Sequence, residues 1–274
     1  MLDKIIHYKK KEVEERKALY PAKLLEQSIY FSTPVVSLRK FLARPDKMGI
    51  IAEFKRQSPS KGAINPYAAV EEVSIGYMQA GASGLSVLTD SHFFGGKNED
   101  LTEARKFNYA PILNKNFIID EYQILEAKSI GADVILLIAA CLGKNRLRNL
   151  AQFAKSLGLE VLMEVHSAEE LDKCCPELDI VGVNNRNLKT FEVDIQTSYD
   201  LLAQIPKDFM PISESGIDHP KTVLELKAAG FQGFLIGECF MREARPAEAC
   251  LKFHQQLYDF QRNGSKERNS FAKI

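Results

Sequence analysis

The chain has 274 residues, 45% hydrophobic and 26% charged, its 36 Lys plus Arg balanced by 36 Asp plus Glu, and it contains no Trp. This neutral, ordinary globular composition argues against bulk electrostatic binding to nucleic acid or an acidic membrane, which a basic excess usually serves, while leaving room for one small basic site. The longest apolar run, Val134 to Leu142, is less than half the roughly 20 residues that a membrane-spanning helix needs.

In chain order, residues 1–45 are expected to form a charged helical extension packing on the domain built by the rest of the chain. Leu2, Ile5, Ile6 and Val13 fall on one apolar stripe, broken at Pro21 and again near Pro34. The dense Lys and Glu of Lys9 to Lys17 are expected to be a solvated helix face. Met1 to His7 runs into alternating Lys and Glu and lacks the apolar core of a signal peptide. Cys141, Cys174, Cys175, Cys239 and Cys250 have no Cys-x-x-Cys spacing, which suits a reduced, cytoplasmic setting. The five histidines are scattered, so no metal is expected.

From residue 46 to 262, short apolar runs alternate with longer segments of helical period, as repeated βα units do. The runs are Gly49 to Phe54, Gly84 to Leu88, Pro111 to Asn114, Val134 to Ile138, Glu160 to Val165, Ile180 to Val183, Met210 to Ser213 and Gly233 to Ile236. Between or after them, Glu121 to Ile130, Asn145 to Leu157, Pro220 to Ala229 and Ala247 to Phe260 carry apolar residues at three-to-four spacing. Eight apolar runs of this kind predict an α/β fold, a closed (β/α)8 TIM barrel, since parallel strands covered by helices are apolar throughout. An open doubly wound sheet is disfavoured because no Gly-x-Gly-x-x-Gly follows the first run. The polar residues 263–274 are expected to fray.

In such barrels the chemistry sits at the C-terminal strand ends. There the chain places Glu53 and Lys55 (first run), Lys115 (third), Glu164 (fifth), Asn184 and Arg186 (sixth), Glu214 (seventh) and Glu238 (eighth). Alternation sends Glu53 and Lys55 to one side and Phe54 to the other. A lysine and a glutamate facing across the mouth suit proton transfer; buried ion pairs holding the barrel closed are the alternative. Ser215-Gly216 and Gly237 follow the last two strands, where barrels commonly bind phosphate through backbone N–H groups.

The segment Ile51-Ala52-Glu53-Phe54-Lys55-Arg56-Gln57-Ser58-Pro59-Ser60-Lys61-Gly62 closely resembles the signature of indole-3-glycerol phosphate synthases. Met163-Glu164-Val165-His166, Gly182-Val183-Asn184-Asn185-Arg186 and Ser213-Glu214-Ser215-Gly216-Ile217 agree in order and spacing. The resemblance implies a phosphate-binding barrel under an N-terminal extension. It implies conversion of 1-(2-carboxyphenylamino)-1-deoxyribulose 5-phosphate to indole-3-glycerol phosphate, with loss of CO2 and water and without cofactor or metal. It implies Lys115 as the acid of ring closure, Glu164 as the acid or base of dehydration, Lys55 as the second lysine, and Glu53 and Asn184 as orienting groups. Ser58, Pro59, Phe117, Arg186, Glu214, Ser215, Gly216, Leu235, Gly237 and Glu238 map to substrate binding, the later ones chiefly at the phosphate end. A monomer acting on a phosphorylated small molecule is expected, with association with other tryptophan-pathway enzymes left open. Rival readings are another phosphate-sugar barrel of that pathway, or a catalytically inactive binding barrel.

Two positions depart from expectation. Asn116 stands where the family commonly has Asp, which by itself would make Lys115 easier to deprotonate. Glu238 is a carboxylate near the expected phosphate, so its side chain is expected to point outward, leaving only its backbone N–H to the anion.

Overall fold

The computed structural model of the protein describes residues 1–271, with side chains described to residue 263. Its strands are β1 (Ile50–Phe54), β2 (Gln57–Ser58), β3 (Gly62–Ala63), β4 (Gly84–Leu88), β5 (Ile112–Lys115), β6 (Val134–Ile138), β7 (Glu160–Val165), β8 (Ile180–Asn184), β9 (Met210–Glu214) and β10 (Gly233–Ile236). Eight of them close a parallel barrel in the order β1-β10-β9-β8-β7-β6-β5-β4, with helices in the connections. It is a TIM barrel. The remaining two, β2 and β3, form a small antiparallel hairpin inside the first strand-to-helix loop. Strand limits match the apolar runs to within a residue at either end. The last helix, Pro246–Phe271, runs past the expected Phe260; the expected tail from 263 falls partly on it, and residues 272–274 lie outside the described residues.

Residues two apart on a strand share a face, and this period divides the core into two layers. Ile51, Leu113, Leu136, Leu162, Ile180, Ile212 and Leu235 fill the barrel interior. Their immediate neighbours, Ala52, Ile112, Ile135, Val161, Val181 and Ile236 among them, pack outward under the helices. Four of these interior columns continue upward by two residues into a polar group: Ile51 into Glu53, Leu113 into Lys115, Leu162 into Glu164, Ile212 into Glu214.

The extension spans both ends of the barrel. Helix α1 (Leu2–Leu19) has Asp3 in its first turn and Arg16 and Lys17 in its last, complementing the helix dipole, and it stops before Pro21. Its Ile5 joins the interior cluster near the mouth. Further along, Leu38 and Leu42 seal the opposite end against the interior strands. The carboxylate of Glu160 anchors that seal, accepting the N–H groups of Leu38 (2.8 Å) and Arg39 (3.1 Å) and the hydroxyl of Ser37. Asp133 does the same for Val36 N–H (2.7 Å) while holding Ile112 N–H (2.8 Å) and Arg105. Burial raises the Asp133 carboxyl above its usual range, with Arg105 and these amides opposing.

The expected solvated face of α1 is corrected at one position. Lys9 is 1% exposed, its Nζ 2.7 Å from Asp90 Oδ2 and 2.8 Å from Glu12 Oε2. A buried ammonium needs such partners. Leu2 and Ile6 are only partly buried, so the stripe is carried by Ile5 and Val13.

Candidate active site

The interior polar groups meet at the barrel mouth. Lys115 Nζ donates to Glu164 Oε2 (2.8 Å) and Glu214 Oε2 (2.5 Å). Lys55 Nζ donates to Glu53 Oε1 (2.9 Å), and Ser86 Oγ to Glu53 Oε2 (3.2 Å). Two glycines make room for this. A Cβ on Gly182 would lie 2.3 Å from Glu214 Oε1, and one on Gly237 would lie 2.7 Å from Glu53 Oε1. Both backbones lack side chains where a carboxylate must pass.

Burial pulls the Lys115 ammonium toward neutrality, but Glu164, Glu214 and Glu53 outweigh it and hold its pKa well above the ordinary lysine range. Burial likewise opposes ionisation of Glu164, yet Lys115 and His166 keep this carboxyl well below the usual range. Glu214 goes the other way. Burial and the Glu164 charge raise it to about 7 against the pull of Lys115. Two carboxylates sharing one ammonium split in this manner.

The expected easier deprotonation of Lys115 beside Asn116 is therefore not what the surroundings produce. Asn116 faces elsewhere: its Nδ2 donates to Thr89 Oγ1 (2.7 Å), which donates to Asn114 Oδ1 (2.8 Å). Glu238 also departs from expectation. Its side chain folds over the cavity, Oε2 lying 3.3 Å from Arg186 Nη2 and Oε1 3.6 Å from Lys61 Nζ, within reach of two cations.

Two adjoining cavities take up the residues singled out from sequence. The first, over the Lys115 centre, is lined by Glu53, Lys55, Ser58, Pro59, Lys115, Phe117, Glu164, Asn184, Arg186, Glu214, Ser215, Leu235 and Glu238. The second shares its rim and adds Gly216 and Gly237 together with Lys61 and Arg242. The first has an apolar side, where Phe94 and Phe117 pack at 5.8 Å and Leu88, Leu136 and Ile138 complete a slot. The second opens at the turn of Ser215 and Gly216, both with positive φ (68° and 73°). Asn185 Nδ2 holds this turn through Ser215 O (3.0 Å), which offsets the strain of a non-glycine residue there.

Arg56, next to Lys55 in the Ile51 to Gly62 segment, does not enter the cavity. It grips Asp100 through both amino groups (2.5 and 2.9 Å) and lies over Phe54, fixing the root of the loop that carries Ser58 and Pro59. Alternation already puts it outward. Sequence reading missed Met1 and the α1 residues Leu2 and Ile5, which line the first cavity, and nothing local flags a helix whose neighbours lie some 80 to 110 residues away. It assigned no role to His166, although the period of two from Glu164 marks its side. Among the described residues no group of three or more His, Cys, Asp or Glu is placed to hold a metal, and no helix is long and apolar enough to cross a membrane.

Comparison with known proteins bears on this geometry. The family model for indole-3-glycerol phosphate synthase matches residues 2–253. The indole-3-glycerol phosphate synthase of Bacteroides thetaiotaomicron is 48% identical over 253 residues, covering 92% of this chain and 97% of its own. That of Caldanaerobacter subterraneus subsp. tengcongensis is 43% identical over 245 residues, covering 88% and 93%. Among solved structures, a chain of the tryptophan synthase complex from Pyrococcus furiosus superposes with a TM-score of 0.58 at 15% identity, covering 78% of this chain and 99% of its own. The 3-hexulose-6-phosphate synthase from Salmonella typhimurium gives 0.57 at 12%, covering 77% and 99%. At those identities the two structures speak to the barrel fold alone.

Proposed function

The chain belongs to the indole-3-glycerol phosphate synthase family, and from that premise we propose which of its residues carry each step. The enzyme is a carboxy-lyase of tryptophan biosynthesis acting on a phosphorylated small molecule. The observation that carries the assignment is Lys115 Nζ held between Glu164 and Glu214 at the floor of a cavity that has an apolar side and adjoins a second one at the Ser215-Gly216 turn.

The substrate's aryl ring lies in the slot of Phe94, Phe117, Leu136 and Ile138, and its phosphate lies toward Ser215, Gly216 and Gly237, with Lys61 and Arg186 near. Lys115, charged across the working pH range, donates to the ribulose carbonyl oxygen. As the ring carbon bearing the carboxylate attacks, the oxygen becomes an alkoxide basic enough to take the Lys115 proton. The bond to the carboxylate then breaks, its electron pair returns to the ring, and CO2 leaves. Lys55, oriented by Glu53, meets the substrate carboxylate and afterwards protonates the departing hydroxyl, which leaves as water. Glu164 takes a proton from the adjacent carbon, completing the indole double bond. Asn184 orients substrate hydroxyls, and Ser58, Pro59, Leu235 and Glu238 shape the cavity around them. A monomer in the cytoplasm is part of the same reading, the five cysteines without Cys-x-x-Cys spacing suiting a reduced compartment.

The test is to supply the carboxyphenylamino-deoxyribulose phosphate and follow indole fluorescence together with CO2 release. The chain has no Trp, so red-edge excitation reports product against a dark protein. Turnover is expected; binding of the phosphate ester without indole formation would overturn the assignment in favour of a binding barrel.

A further inference from the structure

His166 follows β7 two residues after Glu164 and turns to the same side. Its Nε2 lies 3.3 Å from Glu164 Oε1, and its Nδ1 lies 3.2 Å from Glu170 Oε2. That Glu170 oxygen also accepts the backbone N–H of His166 (2.7 Å), closing a clamp on the ring. Glu164 thus meets a different nitrogen at each oxygen, since Oε2 belongs to Lys115 (2.8 Å). We propose that His166 is a positioning residue: an imidazolium clamped by Glu170 that fixes the Glu164 carboxylate and keeps it an anion while Lys115 is occupied with substrate.

This rests on Glu164 being the base of dehydration. Ring closure moves the Lys115 proton to the carbonyl oxygen and so removes the counter-charge on Glu164 Oε2. A buried carboxylate left alone takes up a proton; one with a second cation on Oε1 does not. The surroundings support a charged ring. Burial disfavours the imidazolium, but Glu164 and Glu170 outweigh it and raise its pKa to about 9. Other charges near the pair are accounted for. Glu214 faces Lys115 from β9, and Lys173 Nζ is spent on Ala139 O (2.6 Å). The Cys141 thiol is pushed up to about 12 by burial and by Glu164, Glu170 and Asp3, so it stays neutral.

The experiment compares pH–rate profiles of H166Q and E170Q with the parent on the carboxyphenylamino-deoxyribulose phosphate. H166Q is expected to lower kcat by about tenfold with KM within about threefold, and to move the acid limb of kcat up by about one pH unit. E170Q should shift the same limb in the same direction by less. If either variant folds as the parent does and leaves the limb in place, the clamp is wrong, even if kcat falls. E164Q separates this from the base assignment beneath it: turnover retained in E164Q overturns that assignment itself, whereas E164Q inactive beside unmoved limbs in H166Q and E170Q overturns only the role of His166.

Discussion

Lys9 of α1 and Asp90 beyond β4 form a buried ion pair, Nζ to Oδ2 2.7 Å, that ties the helix over the mouth to the wall of the cavity. The other oxygen of Asp90 caps Phe93 and Phe94 N–H (2.7 and 3.2 Å), and Phe94 is the ring that packs on Phe117. One carboxylate therefore sets both where α1 sits and where the aromatic slot lies. Replacing Lys9 by Met should cost about 3–5 kcal/mol, because Asp90 is left buried without its cation. KM should rise as Phe94 loosens. Urea unfolding and steady-state kinetics on the same variant check this, and an unchanged KM with lowered stability would confine the pair to folding.

Lys115→Met should lose about 10²- to 10⁴-fold in kcat, the usual share of a positioned acid, with circular dichroism unchanged. Retained turnover would exclude Lys115 as the acid of ring closure.

Gly182→Ala tests the room left for Glu214. Its Cβ would fall 2.3 Å from Glu214 Oε1, so the carboxylate must swing away from Lys115 and kcat should drop by about tenfold or more. Gly237→Ala, at a negative φ of −130°, should act on Glu53 instead. A crystal structure of Gly182→Ala with Glu214 in its present rotamer would refute this.

The pH dependence of stability follows from Glu214, whose carboxyl is raised from 4.5 to about 7, burial being the main cause. Between those values the folded protein holds a proton that the unfolded chain has released, so this group's contribution to stability falls as pH rises from about 4.5 to 7. Glu214→Gln removes that slope. Thermal unfolding of both proteins across this window should show the variant gaining on the parent as pH increases; parallel curves would contradict the shift.

Asn116→Asp restores the residue the family commonly has, but in this chain it replaces the donor to Thr89 Oγ1 by an acceptor. The Thr89 hydrogen already serves Asn114, so one buried bond is lost and stability should fall by about 1–3 kcal/mol. The measurement is equilibrium unfolding of the two proteins; equal midpoints would mean that Thr89 simply turns.

The barrel and most of its mouth are legible in the sequence because both follow a period of two. Once Ile51, Leu113, Leu162 and Ile212 are read as interior, Glu53, Lys115, Glu164 and Glu214 must rise above them. The same rule sends Arg56 outward and His166 inward, so the sides of those two were readable as well. Other features had no local signal. Burial of Lys9 depends on Asp90, 81 positions away; the inward fold of Glu238 depends on Arg186 and Lys61; and Met1, Leu2 and Ile5 reach the cavity only because α1 is laid across it.

The extension covers the mouth with α1 and closes the opposite end with Leu38 and Leu42, so one covalent strap carries both closures. Cutting the chain between Pro21 and Pro34 would uncouple them. The severed front piece would be held by its own contacts, the Lys9–Asp90 pair foremost, and would become a dissociable cofactor-like peptide. Turnover of the nicked enzyme would then depend on peptide concentration, while the plugged barrel kept its shape.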